Sequence, residues 1–236
     1  MTGFKLIRCA FNEHSPKGGA MTVSRRHKGS GKRVGATFAI DCSGSMAGAK
    51  IELVNNEMRG GIDFLQQDVI ASQNADIQLI AAGGFARVIQ DFASPRDVKL
   101  PQFVASGGTP LYEAALLAVE GLKQHEQDCK DAGVERGASI LVILTDGAPD
   151  NVPPARVAAT DAIASIASKY CVVPIITPSG NRDVLEALCG TAAFKTGQGD
   201  LTLLLRKLFK SISIVSSMQA SQVSVGTIRG LITTKG

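Results

Sequence analysis

The sequence has no tryptophan, two tyrosines and nine phenylalanines, so aromatics make up only 5% of its 236 residues. Its core has to be built from Ala, Val, Ile and Leu, a bias that fits a parallel sheet covered by helices. The five cysteines, Cys9, Cys42, Cys129, Cys171 and Cys189, form no CxxC pair and are odd in number. That pattern argues against a disulfide framework and for a reducing compartment. No apolar run reaches the roughly 18 residues that a membrane span needs. The opening MTGFKLIRCAFNEH has no apolar stretch of the kind found in a secretory leader. A cytoplasmic protein without membrane partners is the expectation.

What is present is unevenly placed. Residues 1–35 carry eight Lys and Arg against Glu13 alone, whereas 36–215 carry 15 basic and 20 acidic residues. The net +4 is therefore a basic arm attached to a mildly acidic body. Arg25-Arg26-His27-Lys28, with Lys32 and Arg33, could meet nucleic acid or an acidic protein surface. No aromatic interleaves these charges, so base stacking is unsupported, and a solvated loop is the plainer reading. His14, His27 and His125 stand in unrelated contexts and are assigned no role.

The pattern of apolar residues predicts strands over Phe4–Phe11, Val34–Asp41, Ala75–Ala82, Phe85–Phe92, Ala138–Thr145 and Cys171–Ile176. Pro174 weakens the last of these, and a shorter strand is expected over Ala193–Lys195. Helical spacing joins Ile51, Val54, Met58, Ile62 and Leu65. A second helix follows Pro110, and others are expected over Pro154–Ser168 and Asp183–Cys189. Leu201, Leu204, Leu205, Leu208, Ile212 and Val215 form one apolar face, read as core packing. Residues 216–236 show no helical period and read as a tail with at most one strand. The domain reading is an arm over 1–33, a globular domain over 34–215 and a tail over 216–236. Strands alternating with helices imply an α/β fold: a doubly wound, mostly parallel sheet with one antiparallel edge strand and helices on both faces.

In such a fold, ligands bind beyond the C-terminal ends of the strands. Three segments place oxygen-bearing side chains there: Asp41-Cys42-Ser43-Gly44-Ser45, Gly107-Gly108-Thr109 and Thr145-Asp146-Gly147. Together they offer two carboxylates and three hydroxyls, a set of hard oxygens suited to Mg2+, with Mn2+ or Ca2+ as alternatives. Neutral hydroxyls leave the cation only partly compensated, so it keeps affinity for one more anionic oxygen. An Asp or Glu from a partner protein would supply it. The bland reading of DxSxS, a helix N-cap, would satisfy an isolated motif but does not account for all three. Cys42, inside the loop, should turn away from the oxygens and be buried.

DCSGS, GGT and LTDG, in that order, resemble the metal-ion-dependent adhesion site of von Willebrand factor type A domains, over roughly residues 34–215. The family pattern is matched at Asp41, Ser43, Ser45, Thr109 and Asp146. The resemblance implies direct ligation by Ser43 and Ser45, addition of Thr109 in the ligand-engaged state, and action of Asp41 and Asp146 largely through water. DCSGSM, ASGGTPLYEA and LTDGAPD resemble the bacterial TerY-like branch associated with tellurium resistance and stress operons. That implies a metal-dependent protein-interaction module, not an enzyme. GxSxG and P-loop motifs are absent, and Ser43 stands where a phosphatase of the two-aspartate type needs its second Asp. A metal-dependent phosphohydrolase and a scaffold subunit of a larger complex, whose basic arm contacts nucleic acid, are the alternatives.

Overall fold

The computed structural model describes residues 32–147, 149–150, 152–177, 180–196 and 198–233. The strand expected over residues 4–11 and the basic arm through residue 31 lie outside the described residues. Six strands form one sheet: β1 (Lys32–Asp41), β2 (Ala75–Gly83), β3 (Phe85–Ala93), β4 (Glu135–Thr145), β5 (Cys171–Ile176) and β6 (Phe194–Lys195). Their order is β3-β2-β1-β4-β5-β6. Every neighbouring pair is parallel except β2 with β3, which returns through Gly84 as the antiparallel edge. The expected α/β architecture is the one observed.

Among the described residues six helices longer than one turn accompany the strands: α1 (Ala49–Gln67), α2 (Leu111–Asp131), α3 (Pro153–Ile166), α4 (Arg182–Cys189), α5 (Gln198–Ser217) and α6 (Val225–Thr233). A single helical turn, Ala71–Asn74, leads into β2. Helices α1, α5 and α6 pack on one face of the sheet and α2, α3 and α4 on the other, each with its own apolar layer. Alternation along β1 feeds both layers: Val34, Ala36, Phe38 and Ile40 enter the first and Ala39 the second. With no tryptophan to fill space, the first layer is centred on a ring pair, Phe38 stacked on Phe209 at 5.3 Å. The apolar face of α5 is buried from Leu201 to Val215, as its spacing requires.

Pro174 sits inside β5 without breaking it. β5 pairs with β4 along its whole length, but β6 meets it only at Ile175 and Ile176. The residue lacking an N–H therefore faces an edge that is open at that point. Pro110 is the N-cap of α2, and the helix follows it directly. The larger difference lies at the C-terminus. The segment read as a tail with at most one strand contains α6, whose Ile228 and Ile232 are buried in the first apolar layer. Their spacing of four is helical. The helix is held by docking against β5 and α5, because nine residues with two glycines do not sustain a helix alone.

At the N-terminal end of the sheet, charges are buried together. Arg33 on β1 lies 3.8 Å from Asp76 on β2 and donates to the carbonyl of Gln73. His125 on α2 meets the other Asp76 oxygen at 2.9 Å, with Cys129 one turn along at 3.9 Å. Burial lowers the imidazole pKa, but hydrogen bonds to Asp76 and Cys129 outweigh it and raise the group to about 9. The ring of Phe92 stands 4.3 Å away, a fitting neighbour for a cation. His125, given no role from the sequence, is thus half of a buried ion pair. Its partner is 49 residues distant.

Candidate metal centre

The strand order reverses direction between β1 and β4, so the crevice of this sheet opens at their C-terminal ends. β1 ends on Asp41, and β4 ends on Thr145 with Asp146 next in the chain. Both carboxylates are buried, at 0% and 3% exposure. A buried carboxylate needs donors for its oxygens, and both find them at this rim.

Asp41 is the anchor of the cluster. Its Oδ1 accepts the backbone N–H of Ser43 at 2.8 Å, and its Oδ2 accepts the Thr145 hydroxyl at 2.6 Å. One carboxylate thus clamps the turn after β1 to the end of β4. Asp146 is the working face. Its Oδ1 accepts the Ser45 hydroxyl at 2.7 Å, and the Ser45 and Ser43 hydroxyls stand 2.9 Å apart. Ser43 precedes a short 3-10 turn, Gly44–Met46, but makes no capping hydrogen bond with its side chain. The serines turn inward to each other and to Asp146, and the capping reading does not describe them.

The third segment is stitched on by backbone. Gly44 N–H donates to Gly107 O at 3.0 Å, Ser106 N–H to Cys42 O at 2.7 Å, and Gly84 N–H to Gly108 O at 3.1 Å. This brings the loop carrying Thr109 against the Ser43–Ser45 turn and leaves Thr109 8% exposed. Gly107 has φ +72°, and a Cβ there would come within 2.6 Å of Gly84 Cα, so both its conformation and the close approach demand glycine. Cys42 points into the apolar layer, and burial pushes its thiol up to about 12. Its side chain is thus turned away from the oxygens of the rim.

Two further residues reach this rim. Lys50, in the first turn of α1, places its ammonium on Asp146 Oδ2 and 3.1 Å from the carbonyl of Ser45. Asp150, four positions beyond Asp146, lies beside Gly108, where a Cβ would meet its Oδ2 at 2.7 Å. Neither stands out in the sequence. Lys50 follows the DxSxS motif by five residues on a helix, and nothing local says that its side chain turns back. Asp150 ends the LTDGAPD phrase, and a second acid after a turn reads as an ordinary loop residue.

The donor set fits a small hard cation. Oxygens in adjacent positions around an octahedral Mg2+ lie about 2.9 Å apart, given bonds of about 2.05 Å. That is the separation of the Ser43 and Ser45 hydroxyls. Among the described residues, no group of three or more His, Cys, Asp or Glu could hold a metal ion. The candidate is thus a mixed hydroxyl and carboxylate set.

No family model and no curated protein matches the chain by sequence. Solved structures do match it in three dimensions. The chain aligns with a von Willebrand factor type A protein from Catenulispora acidiphila at a TM-score of 0.57 and 19% identity, over 79% of this chain and 43% of that one. The fold is that of a von Willebrand factor type A domain. The ArnB paralog VWA2 from Sulfolobus acidocaldarius shares it at a TM-score of 0.53 and 17% identity, over 75% and 45% of the two chains. So does the pilus adhesin SpaC from Lactobacillus rhamnosus GG in its open conformation, at 0.61 and 13%, over 77% and 30%. The chain spans less than half the length of each of these. What the type A domain has around it in those proteins is therefore no guide to this one, and among the described residues no helix is long and apolar enough to cross a membrane.

Proposed function

We propose that this type A domain holds a divalent cation, Mg2+ in the first instance, at Ser43, Ser45 and Thr109, with Asp41 and Asp146 behind them, and uses it to bind another protein. The observation that carries the reading is the Ser43–Ser45 hydroxyl pair, set 2.9 Å apart against Asp146 at the switch point of the sheet. When bound, the ion supplies a directional, positively charged acceptor for an Asp or Glu of the partner. The chain's own work is to present two hydroxyls at fixed spacing, to hold Asp41 and Asp146 in place through hydrogen bonds, and to hold Thr109 close through the Gly44–Gly107 stitch. Binding is favoured over catalysis because His125, the one histidine among the described residues, lies at the far end of the sheet, bonded to Asp76. The resemblance of DCSGSM, ASGGTPLYEA and LTDGAPD to the TerY-like branch supports a reading in which the partner belongs to a cytoplasmic bacterial stress-response or defence system of the tellurite-resistance kind.

The test is direct. Calorimetric titration of Mg2+ and Mn2+ should give a single site that Ser45→Ala weakens on the order of 10-fold or more, by loss of one ligand. Partner capture from the source cytoplasm should disappear with chelator and with Asp41→Ala. Capture indifferent to both would sink the interaction reading, and absence of any titratable site would sink the metal.

A further inference from the structure

We propose that Lys50 is a tethered cation that occupies Asp146 until a divalent ion displaces it, so that the domain carries its own stand-in for the metal. The inference rests on the metal reading above and adds a second state to the site. Three observations support it. The ammonium sits on Asp146 Oδ2 while Ser45 holds Oδ1, so both oxygens of the carboxylate that faces the candidate site are engaged. The side chains differ in freedom: Lys50 is 37% exposed and Asp146 0%. The lysine can swing to solvent with little loss of packing, whereas the aspartate side chain is enclosed. Finally, Lys50 lies in the first turn of α1, where the helix dipole disfavours a cation. Asp146 is the compensating charge that makes the position favourable.

The consequence is a competition. Asp146 is buried, and a buried carboxylate needs partners for both of its oxygens. Lys50 provides one when no metal is bound, so the metal-free domain keeps its rim assembled. A divalent ion at the serines and an ammonium on Asp146 repel each other, so the ion must push Lys50 off the carboxylate. Lys50 therefore weakens metal affinity and stabilises the metal-free fold. A released ammonium remains at the rim, beside the position that a partner's carboxylate would take.

The experiment compares wild type with Lys50→Met, which keeps the stem and loses the charge, with Lys50→Gln as a second neutral variant, and with Lys50→Arg, which restores the charge. Mg2+ and Mn2+ titrations are read together with melting temperature in chelator and in saturating Mg2+. Expected are metal binding tighter on the order of 10-fold in both neutral variants, since a unit charge near a divalent ion is worth at least that even in water. A lower melting temperature in chelator and a larger rise on adding Mg2+ should accompany it. Lys50→Arg should follow wild type. Equal metal affinity in wild type and the neutral variants, or weaker affinity in the variants, would overturn the tethered cation and leave the metal site standing. No metal binding by any of the proteins would overturn both readings.

Discussion

The buried pair of His125 and Asp76 makes stability fall as pH rises. A histidine held at about 9 against an ordinary 6.5 binds its proton more tightly folded than unfolded. Its contribution is fully present below about pH 6.5 and is lost as pH climbs through 9. At about 1.4 kcal/mol for each tenfold in affinity, the contribution at pH 6 is about 3 kcal/mol. The groups facing the ring are Asp76, Cys129 and, across Asp76, Arg33, with the Phe92 ring tilted against it. Other groups titrate over the same range, so the measurement has to be differential. Urea unfolding of wild type and His125→Gln at pH 6, 8 and 10 separates them, because the background is common to both. The stability gap between the two proteins should shrink by about 3 kcal/mol from pH 6 to pH 10. A gap constant with pH would refute the reasoning, and a gap that widens would mean the imidazole is neutral in the fold. Asp76→Asn should cost about 3–5 kcal/mol at pH 6, since it leaves Arg33 and His125 buried without an anion.

Three other outcomes are expected. Gly61→Val should destabilise by about 1–3 kcal/mol, because a Cβ at 61 would sit 2.1 Å from the Phe209 ring. Adding Phe209→Leu should recover part of that loss in a double-mutant cycle by denaturant unfolding. Ile228→Asp, which buries an unpaired charge under α6, should cost more than about 3 kcal/mol by the same assay. A variant as stable as wild type would show that α6 does not dock. The thiols of Cys42 and Cys189, both pushed up to about 12 by burial, should resist a disulfide reagent at pH 8 in the native protein and react promptly in urea.

The sheet and the rim were legible because both depend on local pattern. Aliphatic runs such as ASILVILT, closed by an acid and a glycine, mark buried parallel strands and the place where they stop. The switch-point rule then says which ends converge. Asp41 and Asp146 could be brought together on that basis, although 104 residues separate Thr145 from the carboxylate that accepts its hydroxyl. What escaped reading depends on tertiary placement. Lys50 reaches Asp146 from the first turn of α1, which the chain enters through Gly48 at φ +78°. His125 meets Asp76 only because α2 crosses the start of β2. The helix α6 was hidden by Gly226 and Gly230, which lower intrinsic propensity; Ile228 and Ile232 declare themselves as a face only once there is a sheet to lie on.

The two edges of the sheet are not equivalent. β6 ends one side with two residues, too short to template anything. β3 ends the other with nine, bearing Phe85 at 63% exposure and Val88 at 36%. A strand of that length and character is where unwanted pairing between copies would begin. Its pairing with β2 slips register twice, on either side of Leu79, and Arg87 and Asp91 set opposite charges along it. A bent, charged edge is a poor template for a straight incoming strand. Among the described residues, association through this sheet is thereby discouraged at both edges.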